Sequence, residues 1–133
     1  MVMFELVRLI HNKKITLKAV MLGTDIQVLC YGGDKPHIGA VSLAVPYESK
    51  NMTGASVSTL TVLSHREDLL SRQLAEKFCK QLKASVVVSC GIHYVQITKE
   101  LILEIQDVVT DMSKELLAEM QNQTLSTVDD STE

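Results

Sequence analysis

The chain has 133 residues, a net charge of −3 and 46% apolar residues, which fits one folded domain with its own core rather than a disordered segment. Basic residues are scattered, and the aromatic residues are only three Tyr and two Phe. The chain therefore lacks the basic stripe and stacking residues typical of a nucleic-acid-binding protein. No apolar run reaches the roughly 18 residues that a membrane-spanning helix requires.

The cysteines and the N-terminus favour an intracellular protein. Cys30, Cys79 and Cys90 show no Cys-x-x-Cys spacing and stand among apolar residues, so we expect reduced, buried thiols. The first residues contain neither the continuous apolar segment nor the small-residue cleavage site of a signal peptide. We therefore expect a soluble, cytoplasmic protein.

The first third of the chain predicts three strands. Residues 3–10 are apolar with two charges and fit a strand, although a short helix remains an alternative. Residues 15–22 alternate between two faces, which indicates a half-buried strand. The tight turn at residues 23–25 then leads into a strand at residues 26–31, and so short a connection predicts an antiparallel pair.

The next segment predicts two more strands separated by a loop. Residues 38–45 are expected to be the third member of this meander, ended by Pro46. Residues 46–56 have the composition of a loop, and we expect them to be the least ordered part of the interior of the chain. Residues 57–63 alternate again and predict a strand.

Two helices are predicted, with one buried strand between them. A capping box, Ser64-His65-Arg66-Glu67, begins a helix that runs to about Leu82. Residues 85–90 are short, β-branched and apolar, as in a fully buried strand. Thr98 is the expected N-cap of a last helix over residues 99–120, whose wide apolar stripe serves either the core or a dimer contact.

Strands followed by strand, helix, strand and helix predict an α+β domain. We expect a mixed or antiparallel sheet of about five to six strands with two main helices. Residues 1–121 form this single domain, and residues 122–133 form a polar C-terminal tail.

A glycine-rich loop between two apolar segments carries the densest chemistry. Its sequence contains more special residues than a turn requires, and Pro36 together with the adjacent glycines predicts a rigid loop with bare amides and outward polar groups. We interpret it as a binding loop. The candidate binding residues are Gly32, Gly33, Asp34, Lys35, Pro36, His37, Ile38 and Gly39.

Two further groups lie at ends of predicted elements, where scaffolds present ligand-binding residues. Ser64, His65 and Arg66 begin a helix, and a helix N-terminus with an Arg suits a phosphate. Gly91 and His93 follow the buried strand. Each group also has a structural explanation, as a hairpin cap, a solvated first turn or a satisfied histidine.

Catalytic and metal-binding patterns are weak. Cys90 fits a small core residue better than a nucleophile. A zinc site built from His37, His65 and His93 has no support from local spacing. No dinucleotide-binding or nucleotide-triphosphate motif, and no catalytic arrangement, is visible in the sequence.

Three segments resemble one known family. They are Gly-Gly-Asp-Lys-Pro-His-Ile-Gly-Ala-Val (32–41), His-Arg-Glu-Asp (65–68) and Ser-Cys-Gly-Ile-His-Tyr-Val-Gln-Ile-Thr (89–98). In this order they resemble the LpdD-like prenylated-flavin chaperone family, the small D subunits of UbiD-type hydroxyarylic acid decarboxylases. The resemblance covers roughly residues 14–110.

The resemblance implies a proteasome assembly chaperone 4-like fold and a non-catalytic accessory protein. Such a protein would bind prenylated FMN (or FMN) and deliver it to, or protect it for, a UbiD-type large subunit. Gly32, Gly33, Lys35 and Arg66 would then contact the phosphate, and His37 and His93 the ring. The alternatives are a homodimeric assembly chaperone or interaction module without a cofactor, and, less favoured, a small enzyme using His37 and Asp34.

Overall fold

The computed structural model describes residues 2–62 and 68–131, with side chains as far as Gln123. Short turns and alternating burial mark the strands, whereas burial at helical spacing marks the two helices. The elements are β1 (Met3–Ile10), β2 (Lys13–Leu22), β3 (Asp25–Gly33), β4 (Ala40–Ser49), β5 (Met52–Thr61), α1 (Asp68–Leu82), β6 (Val86–His93) and α2 (Lys99–Ser131).

The six strands form one mixed sheet in the order β1-β2-β3-β6-β4-β5. Only the β3–β6 pair is parallel, and the other four neighbouring pairs are antiparallel. The predicted α+β class, with its mixed six-stranded sheet and two main helices, is confirmed. The antiparallel β2–β3 hairpin around Gly23 and Thr24 is also confirmed.

The expected meander is wrong at its third member. β4 does not pair with β3, because β6 lies between them and pairs with both. The physical reason is the apolar character of β6, whose Val86, Val88 and Cys90 are fully buried. A β-branched strand of this kind is stable in the middle of a sheet. The loop from β3 to β4 must therefore cross the end of β6.

The expected loop over residues 46–56 is also wrong. β4 continues through Pro46 to Ser49 and returns as β5, and the hairpin turns at Lys50 and Asn51 with φ of 50° and 67°. Two consecutive residues with positive φ are the mark of a type I′ hairpin. Pro46 fits because β4 has lost its second neighbour there, since its pairing with β6 ends at Ala44.

Both helices pack on the same face of the sheet. α1 covers β4, β5 and β6, whereas α2 lies on β1 and β2. The inner face of α1 is apolar, since Leu70, Leu74 and Phe78 are buried and Leu82 is partly buried. The three thiols are free and buried, as expected.

Helix α2 begins as predicted, because the Thr98 hydroxyl accepts a hydrogen bond from the Leu101 amide at 3.1 Å. It ends later than predicted, at Ser131 rather than Met120. The division into residues 1–121 and a tail of residues 122–133 stays a prediction. Most of the α2 stripe is used inside the protein, which favours the core over a dimer contact; its buried members are Leu101, Ile105, Val109, Met112, Leu116, Leu117 and Met120.

The opposite face of the sheet is covered by neither helix, and we call it the open face. It carries side chains that alternate with the buried ones along each strand. Its large exposed apolar residues are Met3, Val7, Leu9, Leu43, Val45, Tyr47 and Leu60. Half-buried apolar residues lie between them, namely Val20, Leu29, Tyr31, Val41 and Val87.

Candidate functional site

The glycine-rich loop is fastened along the end of β6 by backbone hydrogen bonds. The Asp34 amide donates to the His93 carbonyl at 2.6 Å, and the Gly39 amide donates to the Cys90 carbonyl at 2.8 Å. Longer bonds of 3.4 Å join the Lys35 amide to His93 and the His37 amide to Gly91. The expectation of bare amides is therefore wrong for these four residues, because β6 requires partners for its own carbonyls.

Two glycines permit this close approach. A Cβ atom on Gly91 would overlap the carbonyl oxygen of His37, and one on Gly33 would overlap the carbonyl oxygen of His93. Gly33 also has a φ of 80°, which side chains disfavour. Cys90 and Ile92 face the core, so Gly91 between them faces the open side of the sheet. Because the loop contacts Gly91 there, the loop lies on the open-face side of β6.

Asp34 joins three segments of the chain. One carboxylate oxygen accepts a hydrogen bond from the Val95 amide at 2.9 Å, and the other lies 3.4 Å from the Lys13 ammonium. The Val95 hydrogen bond, together with the Lys13 charge and a smaller contribution from His93, lowers the pKa of this carboxyl below its ordinary 3.8. The contacts of Asp34 thus hold the loop in place and leave it little capacity to bind a ligand.

We expect Asp34→Asn to make stability less dependent on pH in the acid range. Because the folded-state pKa is depressed, the stabilisation is present above pH 3.8 and disappears as the pH falls through the lower folded-state value. Urea unfolding at pH 7 and at pH 3 checks this. The variant should be less stable than the wild type at pH 7, and the difference should shrink at pH 3; an equal difference at both would contradict the assignment.

His37 and His93 form an aromatic pair beside the loop. Their ring centroids are 6.2 Å apart with an interplanar angle of 81°. Nδ1 of His37 lies 3.1 Å from the Lys35 carbonyl oxygen, so it carries the proton and donates. His93 is exposed and His37 half-buried. The exposed His93 presents its ring to solvent on the open-face side.

The end of the sheet that carries this loop is rich in cations. Lys35 is exposed, and its ammonium has no ion pair or hydrogen bond to any residue that the structure describes. Lys13 and Lys14 stand at the start of β2, and the antiparallel register of β2 and β3 brings them to the same end of the sheet. Asp34 pairs with Lys13, and Glu104 also lies at this end beside the β1–β2 turn, so Lys35 remains as a cation that can attract an anion.

The structure brings most of the predicted site residues together and leaves three undescribed. Residues 32–39 lie against Gly91 and His93, as a joint site requires. Ser64, His65 and Arg66 lie outside the described residues. The chain reaches the loop just before them, because the Val62 amide donates to the Gly39 carbonyl at 2.8 Å.

Sequence reasoning missed two residues at this site. Neither Lys13 nor Tyr31 is among the candidate binding residues named from the sequence. Counting outward from the Gly23-Thr24 turn places Ile15 opposite Gly32 and hence Lys13 opposite Asp34. Tyr31 pairs with Gly91 and lies half-buried on the open face, beside the loop. The register of the hairpin was the signal that would have identified both.

Metal binding and membrane insertion find no support in the described part of the chain. Over residues 2–62 and 68–131, no group of three or more His, Cys, Asp or Glu side chains is placed to hold a metal ion. Over the same residues, neither helix has a segment long and apolar enough to cross a bilayer.

Comparison with known proteins identifies the family. Residues 10–121 match the model of the prenylated flavin chaperone LpdD-like domain. The chain belongs to this LpdD-like family. It is also 27% identical over 107 residues to Protein LpdD of Lactiplantibacillus plantarum, an alignment that covers 76% of this chain and 73% of that protein. The resemblance seen in the three segments is thus confirmed over most of the chain.

The fold of this LpdD-like chain also has a solved counterpart. A chain in the crystal structure of a chaperone complex for yeast 20S proteasome assembly superposes with a TM-score of 0.51 at 11% identity. The match covers 85% of this chain and 99% of the other. The predicted proteasome assembly chaperone-like fold is therefore confirmed. Membership of the LpdD-like family supports an accessory chaperone role.

Proposed function

We propose that this protein binds prenylated FMN, or FMN, at the glycine-rich loop and delivers it to, or protects it for, a UbiD-type aromatic acid decarboxylase. The observation that carries the proposal is the loop of residues 34–39, fastened over Gly91 on the open-face side in a chain that belongs to a prenylated-flavin chaperone family. A rigid loop loses little conformational entropy when a cofactor binds to it, which favours binding.

The phosphate of the flavin is bound by cations rather than by a cradle of amides. Four loop amides already donate to β6, whereas the Ile38 amide donates to no described residue. Lys35 supplies an unpaired ammonium, with Lys14 nearby at the end of β2. Arg66 is the further candidate, since an Arg binds phosphate in a bidentate manner. Gly32, Gly33 and Gly39 belong to the proposed set as the glycines that shape the loop, since Gly32 packs on the Lys14 carbonyl and Gly33 on the His93 carbonyl.

The flavin ring lies on the open-face side, against His37 and His93. The two imidazoles offer ring edges for stacking, and the exposed His93 offers nitrogens for hydrogen bonds to a polar heterocycle. Tyr31 extends the aromatic surface towards the centre of the sheet. Pro36 and Ile38 are exposed on the loop and border the same surface. Ser64 and His65 complete the proposed set of binding residues.

The protein acts without catalysis of its own, in the cytoplasm, beside the large subunit that carries out the decarboxylation. The chemistry of the site supports this view. Asp34 is engaged by Val95 and Lys13, so the pair of Asp34 and His37 considered for a small enzyme has no free carboxylate.

His37→Ala tests the placement of the cofactor. We expect at least a tenfold loss of flavin retained per chain after purification from cells that co-express a flavin prenyltransferase, with a melting temperature close to that of the wild type, because the ring is half exposed. His11→Ala, an exposed histidine on the β1–β2 turn, is the matched control and should retain the wild-type amount. Equal retention by both variants would place the flavin elsewhere, and an unfolded His37→Ala protein would make the histidine structural.

A second candidate function, protein–protein interaction, is favoured by the open face. Apolar side chains are exposed across the strands of this face, and a soluble monomer rarely leaves so large a patch uncovered. We propose that a second copy of the chain covers it, giving a homodimer. From the strand spacing and rise, a six-stranded face offers on the order of 700 Å² per partner, close to a standard interface.

A further inference from the structure

A cleft separates the two helices on the side of the sheet away from the glycine-rich loop. It has a volume of about 250 Å³ and is lined by Leu70, Gln73, Leu74 and Lys77 of α1 and by Thr110 and Ser113 of α2. The α1 residues recur at three and four positions, so they form one stripe along the helix. The volume is below the roughly 300–1,000 Å³ of drug-sized ligand sites, which limits an occupant to a small molecule.

Lys77 points into this cleft without a carboxylate partner. Its ammonium donates a hydrogen bond to the Ser113 hydroxyl at 3.1 Å, and Ser113 is 1% exposed. No described Asp or Glu forms an ion pair with Lys77, and the charge that acts on it is that of a second cation, Lys114. Partial burial, followed by the Lys114 charge, lowers the pKa of Lys77.

The charge of Lys77 is not neutralised within the described part of the chain. The side chain is only partly buried, so water solvates part of the ammonium, and the hydrogen bond to Ser113 is to a neutral hydroxyl. The neighbouring helix α2 carries acidic residues, including Glu104, Asp107 and Asp111, yet none of them forms an ion pair with Lys77. The cleft therefore offers a positive charge to an external anion.

The walls of the cleft define the rest of the ligand. Leu70 and Leu74 are 8% and 3% exposed and give an apolar side to the cleft. Gln73 and the Thr110 hydroxyl provide polar groups at the rim. Apolar side chains on the same wall as the cation suit a small carboxylate with an apolar body better than a bare inorganic anion, which would leave the leucines unused.

We propose that the α1–α2 cleft binds a small carboxylic acid with an apolar or aromatic body, with its carboxylate on Lys77 and its body against Leu70 and Leu74. The ligand would take the place of Ser113 as the principal partner of the ammonium. This site is independent of the proposed flavin site, because the helices and the glycine-rich loop lie on opposite faces of the sheet.

Sodium benzoate is the probe, and the methyl NMR signals of Leu70 and Leu74 in the full chain are the readout. We expect saturable shifts of these signals, with affinity at least tenfold higher than for benzyl alcohol, which lacks the charge, and for inorganic phosphate, which lacks the ring. Lys77→Met should weaken benzoate binding at least tenfold, whereas Lys99→Met, an exposed lysine at the start of α2, should leave it unchanged.

Three results would overturn the proposal. They are shifts that do not saturate, equal affinity for benzoate and benzyl alcohol, and unchanged binding in Lys77→Met. The comparison of the three probes uses the wild type alone, so the test survives if Lys77→Met does not fold. Loss of the flavin in the His37→Ala experiment has no bearing on this readout, so the two proposals fail separately.

Discussion

A Gly91→Ala variant is expected to lose the flavin while remaining folded. The added methyl group would overlap the His37 carbonyl oxygen, and β6 cannot yield because it is the central strand between β3 and β4. The loop must therefore lift from the sheet, which separates His37 from His93. We expect a destabilisation of about 1–3 kcal/mol, as for other overpacked positions, and at least a tenfold loss of flavin retention.

Gly23→Ala is the control for this experiment. Gly23 has a φ of 63°, and nothing lies within 4 Å of a Cβ placed there. Alanine at this turn should cost about 1–2 kcal/mol from the left-handed backbone alone, without moving the loop at the other end of the hairpin. If both variants lose stability but only Gly91→Ala loses the flavin, the loop position is the cause. Equal flavin retention by the two variants would refute the role of the loop.

Leu43→Lys is expected to convert the dimer into a monomer. Leu43 is 46% exposed near the middle of the open face, where it pairs with Val87 of β6 and Ser58 of β5. A lysine at the centre of an apolar interface would bury an unpaired charge, which costs several kcal/mol. Sedimentation equilibrium should give the mass of two chains for the wild type and of one chain, 14.7 kDa, for the variant.

Leu69→Lys is the matched control for the dimer. Leu69 is 51% exposed but lies on α1, on the other side of the sheet, so its replacement should leave the dimer intact. A wild-type protein that sediments as a monomer at 100 µM (roughly 100 times a micromolar Kd) would contradict the proposal. A Leu43→Lys protein that stays dimeric would place the interface on another surface.

Local pattern predicted most elements of this fold but only part of their arrangement. The alternation over residues 15–22 and the short turn at Gly23 are local signals, and the β2–β3 hairpin was correctly predicted from them. The position of β6 depends on a long-range pairing with β3 and β4 that no local signal encodes. Pro46 was expected to end its strand, because proline cannot donate a ladder hydrogen bond. The strand continues through Pro46 because β4 has only one neighbouring strand there, which follows from the position of β6.

The sequence predicted which loop residues lie together at the candidate site, but not which of their polar groups are used in contacts within the protein. The density of glycine in residues 32–39 correctly indicated a close approach, and the approach is to β6 itself. Hydrogen bonds between the loop and β6 use the amides that were expected to be bare. The role of Asp34 as a structural contact follows from the hairpin register, which brings Lys13 to it, and from the neighbouring Val95 amide.

The visible absorbance spectrum of the purified protein shows whether the chain binds a flavin. The wild-type chain is co-expressed with a flavin prenyltransferase, purified, and analysed by absorbance and by mass spectrometry of the released small molecules. We expect a flavin spectrum and the mass of prenylated FMN or FMN, at up to one molecule per chain. A colourless protein that releases neither molecule would contradict it.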